Sequence, residues 1–213
     1  MTGSLWPRRA LAALGATLLT AAAATAAPLY AVVPAQSSLG FVGTQQGEKF
    51  TGTIRDFDAR IEYAAEDLAT SRLDVTMRLK SMDTKSPDRD QALATADWFD
   101  FARFPTATFR TVAIRATPSG PVGDADLTIK GRTKRIAFPF AWKAAGSGAT
   151  LDARVTLDRL DFGLGLGDWA DESTVGRKVE VVVHLTLAAA APAPPAPSPA
   201  KPAAKPATRP AGP

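Results

Sequence analysis

The stretch Arg72-Leu73-Asp74-Val75-Thr76-Met77-Arg78-Leu79-Lys80 sets an apolar side chain at every second position, with polar or charged residues between. Side chains along a strand point alternately to opposite faces, so a period of two marks a half-buried β-strand. The same period runs through Phe57, Ala59, Ile61 and Tyr63, and through Ile136, Phe138, Phe140 and Trp142. It returns in Leu151, Ala153, Val155 and Leu157, and again in Val179, Val181, Val183, Leu185 and Leu187. Weaker runs cover 37–43, 49–55, 106–115 and 121–130. The phase slips between Phe109 and Val112, which predicts a β-bulge. Turn residues punctuate the runs at Thr117-Pro118-Ser119-Gly120, Lys130-Gly131 and Gly146-Ser147-Gly148. Links this short predict antiparallel hairpins, and eight or nine such strands predict an all-β barrel or sandwich.

Two segments break the alternation. Pro87 is placed to open a short helix through Arg89, Asp90, Leu93 and Ala94, which runs into Trp98, Phe99, Phe101 and Phe104. This predicts a helix-containing crossover packed across one mouth of the barrel. The second, Gly163 to Gly176, is rich in glycine and carries Trp169.

The ends read differently. Residues 1–26 join Arg8 and Arg9 to an apolar, Ala/Leu-rich run and the small residues Ala24-Thr25-Ala26. That is the form of a cleaved signal peptide, here a general export signal. A spanning helix needs roughly 20 mainly apolar residues, and this run is short and mostly alanine. Localisation in the periplasm is the expectation. Residues 188–213 are almost entirely Ala and Pro with Lys201, Lys205 and Arg209, so they lack side chains whose burial offsets ordering; a disordered, extended basic tail is predicted. The domain is then 27–187. The formal charge of +4 reflects 25 basic and 21 acidic residues; five of the basic residues and none of the acidic ones lie in the two ends. The domain is close to neutral, which argues against nucleic acid as a partner. The chain has no cysteine, which removes thiolate chemistry and cysteine-held metal.

Catalytic or metal-binding groups are scarce. His184 is the single histidine and shares the outward phase of its strand. Asp124 and Asp126 share one strand phase and read as a solvated face. Asp168, Asp171 and Glu172 flank Trp169, but a calcium loop of real affinity fixes more oxygens at set spacing. Gly163, Gly165 and Gly167 lack the strand–loop–helix context of a phosphate loop. Without an inward histidine no Ser-His dyad forms, so neither catalytic residues nor metal ligands are expected.

What remains is an apolar interior. A barrel of about eight strands either fills with its own side chains or holds one small ligand. Burying ~400 Å2 of lipid chain at about 25 cal/mol per Å2 is worth on the order of 10 kcal/mol before association costs are subtracted. Binding of a long-chain lipid is thus feasible without a charged anchor.

Asp97-Trp98-Phe99-Asp100 followed by Phe104-Pro105-Thr106-Ala107-Thr108-Phe109 resembles the aromatic–Pro–x–x–x–Phe block of the YceI-like family of exported proteins. Gly123-Asp124-Ala125-Asp126-Leu127-Thr128-Ile129-Lys130-Gly131, then Thr133-Lys134, is similar to its G-D-L-T block, with two extra residues before the leucine. Asp161-Phe162-Gly163 matches its D-F-G turn, and Ser38, Phe41 and Phe57 add to the likeness, which covers residues 29–187. The resemblance implies a lipocalin-like barrel and a cavity holding a polyisoprenoid or an isoprenoid quinone. It implies no enzyme activity and no further cofactor. Family members often carry a histidine before the leucine of the crossover helix; here Ala92 precedes Leu93, so no head-group role is carried over to that position. The Ala/Pro tail lies outside the family pattern.

Within that reading the candidate ligand-binding side chains come from every inward face. Phe41, Phe57 and Ile61 lie on the early strands, and Leu73, Val75, Met77 and Leu79 on the opening stretch. Phe109, Leu127, Ile129, Phe138 and Phe140 follow, with Val155, Leu157, Val181 and Val183 on the last two strands. Trp98, Phe99, Phe101 and Trp169 are candidates to gate the mouth. A carrier of this kind implies transient contact with a membrane. The alternative is an interaction or stress-response module with a filled barrel that acts through its tail. Neither reading sets the oligomeric state, and a dimer is compatible with both.

Overall fold

The alternating runs pair into one antiparallel sheet that closes on itself. The structure, a computed structural model, describes residues 26–190. Nearly all of the expected signal peptide and of the expected tail lie outside the described residues. The strands are β1 Leu29–Val32, β2 Ser38–Gln45, β3 Glu48–Ile54, β4 Phe57–Glu62, β5 Arg72–Arg78 and β6 Met82–Asp83. After the helix α1, Pro87–Ala94, come β7 Thr106–Thr117, β8 Gly120–Ile129, β9 Arg132–Ala145, β10 Gly148–Asp158 and β11 Lys178–Ala189.

Closure depends on the long last strand. Beyond its pairing with β10, β11 meets β2 through Glu180–His184 and β1 through Leu187–Ala189. β1 in turn pairs β4 through Leu29 and Tyr30. The ring β1-β4-β5-β7-β8-β9-β10-β11 is an eight-stranded, lipocalin-like barrel, and β2-β3-β6 extends the sheet from β11 at the other end. Closure leaves most of the ring without a free edge.

Local sequence explains the connections. Gln46-Gly47 and Lys130-Gly131 join their strands with two residues each, all four at positive φ. That is the backbone of the primed hairpin turns, whose twist matches that of the strands. The expected bulge lies at Val112, between Thr111 and Ala113, where the register to β8 shifts. It leaves Val112 exposed and keeps Thr111 buried, its hydroxyl accepting the Leu73 N–H at 2.9 Å. Helix α1 starts where Ser86 caps the Arg89 N–H, Pro87 takes the first position, and Asp88 and Asp90 fill the first turn.

Two boundaries differ from the sequence reading. β5 ends at Arg78, and Leu79 opens a 3-10 turn, although its side chain stays inside. β11 continues through Ala188 and Ala189, which the alternation had assigned to the tail. Pairing with Ala31 and Tyr30 uses only main-chain groups, so small alanines extend the strand with no apolar side chain to signal it.

At one end the barrel is plugged by aromatic rings. Tyr63 lies 4.3 Å from Trp142 and 5.7 Å from Phe140, ring centre to ring centre, and Tyr30 packs edge-on to Trp142 at 5.0 Å. Burial raises the Tyr63 pKa, with the charge of Glu66 adding to it.

Candidate functional site

Above the plug the inward faces do not meet. They enclose a cavity of about 520 Å3, within the range of pockets that bury a small ligand. Its walls are the alternating apolar positions. Ile61 of β4 and Leu73, Val75 and Met77 of β5 face Val155 and Leu157 of β10 and Val181 and Val183 of β11. Phe109, Leu127, Ile129 and Phe138 complete the far wall. Phe41 and Phe57 line the side nearest β3, and Leu79 lines it from its 3-10 turn.

Trp98, Phe99 and Trp169 also line the cavity. Two expected residues do not. Phe140 lies one inward step farther along β9 than Phe138, in the aromatic plug against Tyr63. Phe101 packs on Phe99 at 6.1 Å and is not part of the lumen wall.

Several lining groups were not singled out from the sequence. Leu39, Leu151 and Leu185 occupy inward positions of strands already recognised, so period two alone locates them. Phe50, Met82, Ala92 and Leu93 come from the first hairpin, β6 and α1, where the alternation is weak or absent. The polar lining groups are Thr44, Gln45, Ser86, Asp88, Arg89 and Arg159. They include no histidine, so the wall holds no histidine base beside Ser86.

Arg159 is 3% exposed. Its Nε donates to the Gly176 carbonyl at 3.1 Å, and Nη1 to those of Leu164 and Gly165 at 2.7 and 2.5 Å. Nη2 donates to the carbonyls of Val175, at 2.8 Å, and Trp169. A guanidinium has five N–H groups, and all five are used on backbone oxygens of one loop. Burial lowers the Arg159 pKa, against the raising effect of Asp158 and Glu172. This side chain shapes the Gly163–Gly176 segment and seats it at the cavity. Trp98 lies under the guanidinium at 5.4 Å and edge-on to Trp169 at 5.9 Å. Its Nε1 is buried without an acceptor among the described residues.

Lys130, at the β8–β9 turn, fixes the neighbouring crossover. Its Nζ donates to Ala96 O at 2.7 Å and to Gly163 O at 3.0 Å, and burial lowers its pKa.

The groups weighed for chemistry lie elsewhere. His184 faces outward on β11, with Nδ1 2.6 Å from Asp152 Oδ1 on β10. Asp124 and Asp126 pair with Arg115 and Arg135 on the outer surface. Asp171 caps Ser173, and Glu172 faces Arg177 at 3.8 Å. Among the described residues no three carboxylate, histidine or cysteine side chains group as a metal site.

Comparison with known proteins places this geometry. The model of the YceI-like domain matches residues 30–187. A UPF0312 protein of Photorhabdus laumondii is 27% identical over 178 residues, spanning 79% of this chain and 93% of its own. The crystal structure of Burkholderia cenocepacia BcnA superposes with a TM-score of 0.69 at 29% identity, over 73% of this chain and 98% of that one. A polyisoprenoid binding domain from Saccharophagus degradans, implicated in plant cell wall breakdown, has the same fold, with a TM-score of 0.61. It is 15% identical over 78% of this chain and all of that domain.

Proposed function

This chain belongs to the YceI-like family, and from that premise we propose that its barrel is a periplasmic carrier of isoprenoid lipid. The observation that carries the reading is the cavity itself, a lumen of about 520 Å3 walled by aliphatic and aromatic side chains. Such a surface gains free energy from nearly any apolar chain, at roughly 25 cal/mol per Å2 buried. An isoprenoid adds methyl branches that branched wall residues such as Val155, Val181 and Val183 pack against. The Saccharophagus domain, described as polyisoprenoid binding, supports the same ligand class. Among the polar groups of the lumen, Arg159 is spent on backbone, and Ser86, Asp88 and Arg89 gather at α1. That set pairs no serine with a histidine, and the proposed role is binding and transfer. Residues 1–26 are read as the export signal that delivers the carrier to the periplasm.

The test is recovery of the protein from the periplasmic fraction, organic extraction and mass spectrometry. An isoprenoid lipid is expected in the extract in a stoichiometric amount. Added isoprenoid quinone should quench the fluorescence of Trp98 and Trp169, which line the lumen. A clean extract together with unquenched tryptophan removes the carrier reading. An interaction module that acts through its tail would then stand in its place.

A further inference from the structure

We propose that the Gly163–Gly176 segment is a docking tip for a lipid surface, with Leu166 as the side chain that enters the bilayer. The inference takes its purpose from the carrier reading above, but the surface itself belongs to the outside of the barrel and not to the lumen.

The segment joins the end of β10 to the start of β11, where Asp158 pairs with Lys178. The aromatic plug lies toward the other end of the same two strands, where Leu151 pairs with Leu185 and with Trp142. Leu166 therefore stands at the end of the barrel away from the plug. The Gly165 N–H ties it to the crossover, donating to Asp97 O at 2.8 Å. Trp98 and Phe99 of that crossover line the lumen, as does Trp169 of the segment itself.

Among the described residues the large apolar side chains that stay exposed are Leu166, at 46%, and Val112, at 49%. The β7 bulge puts Val112 outside. Leu166 is put outside by its neighbours. Leu164 is buried, and its carbonyl and that of Gly165 accept from Arg159. Gly165 and Gly167 have φ of +62° and +63°, so the chain turns across two left-handed glycines, with Leu164 facing in and Leu166 facing out. Beyond them Trp169 gives its carbonyl to the same guanidinium. The leucine is clamped from both sides in a place where it forgoes burial in the fold. The crossover extends the apolar end, because Phe101 is only half-buried and does not line the lumen.

Two features select a lipid surface as the partner. One leucine with half-buried aromatic neighbours is too little for a stable protein interface, which buries roughly 1,200–2,000 Å2 in all. A bilayer asks for no complementary shape. Binding to it scales with the apolar area inserted, and tryptophan favours the level of the head groups. The second feature is charge. Gly163–Gly176 carries Asp168, Asp171 and Glu172 and neither Lys nor Arg, so attraction to anionic head groups does not drive the contact. Asp168, two residues past Leu166, also keeps the insertion shallow. Apolar contact is the driving term, and docking is insensitive to salt.

The experiment floats the protein recovered from the periplasmic fraction with phosphatidylcholine vesicles at low and at high salt. It compares wild type with Leu166→Asp, Leu166→Trp and, as an equally exposed control, Val112→Asp. Wild type should float with the vesicles at both salt levels. Leu166→Asp should lower partitioning about tenfold and Leu166→Trp should raise it, while Val112→Asp stays within about twofold. Both positions are exposed, so every variant should keep the wild-type melting temperature. Three results each overturn the inference: Leu166→Asp that floats like wild type, wild type that does not float, and flotation that needs phosphatidylglycerol and vanishes with salt. So does a wild-type dimer that Leu166→Asp dissociates, which would assign the face to a second copy. Organic extraction of the same preparations keeps the two readings apart. Isoprenoid in the extract with flotation indifferent to Leu166 leaves the carrier and removes the tip. Leu166-dependent flotation with a clean extract removes the carrier and leaves the tip.

Discussion

Arg159 shows how one residue organises a loop that has little apolar material of its own. A buried cation ordinarily sits against a carboxylate, but here five carbonyl oxygens from Leu164, Gly165, Trp169, Val175 and Gly176 take that place. Their dipoles all point at the guanidinium, and each would lose its bond if the side chain were apolar. Arg159→Met should therefore destabilise the protein by more than ~3 kcal/mol, read from urea unfolding at pH 7. Arg159→Lys should restore part of that loss, since an ammonium offers three donors in place of five. If Arg159→Met unfolds at the wild-type midpoint, the loop is held by something else. None of this was legible in the sequence, because the partners are main-chain oxygens and carry no residue-type signal. The cavity walls were legible for the opposite reason. Leu73, Val75 and Met77 declare their side by alternation, and Val181 and Val183 do the same. Alternation gives the face of the sheet but not the height along the barrel, which is why Phe140 was expected in the lumen and instead belongs to the plug.

At the scale of elements, pairing energy and pH meet where β10 hands over to β11. Asp158, at the end of β10, accepts from Arg177 Nη2 at 2.6 Å and lies 3.5 Å from Lys178 Nζ. Burial works against its carboxylate, but the hydrogen bonds from Arg177 and the Leu160 N–H, with the charges of Arg177 and Lys178, outweigh it and lower the pKa. A depressed carboxylate pKa contributes stability above the unfolded value of about 3.9, lost as pH falls through the folded value. Wild type should accordingly lose stability below about pH 4 more steeply than Asp158→Asn. The two should differ at pH 7 and converge at low pH when urea midpoints are compared. Parallel curves would mean that the Asp158 contacts contribute nothing net. The elements themselves followed from sequence wherever a run was long enough to show its period. β1, with four residues, and β6, with two, were too short for a pattern, and both are set by main-chain pairing to neighbours. The helix was found because Pro87 marks its start chemically, not because its faces differ.

Over the whole molecule, the distinction that matters is between a barrel that ends in side chains and one that ends in space. Interiors of folded proteins are packed about as densely as organic crystals, so a persistent lumen among Leu, Val and Phe forgoes contacts that a guest can restore. Val155 and Val181 face one another across β10 and β11, and both line the lumen. Replacing both with phenylalanine adds two rings to one stretch of wall. With real space there, the double variant should keep its melting temperature or gain a few degrees, because the new rings occupy volume that was empty. Its extract should no longer contain lipid. In a solid interior the same rings would force neighbours off their rotamers, at a cost of about 1–3 kcal/mol per overpacked site. Differential scanning calorimetry on the two proteins, with mass spectrometry of the same preparations, separates the cases. A sharp drop in melting temperature with lipid still bound would place the ligand outside the barrel. Unchanged stability with lipid lost places it within, because only an occupant competing for that volume responds in that way.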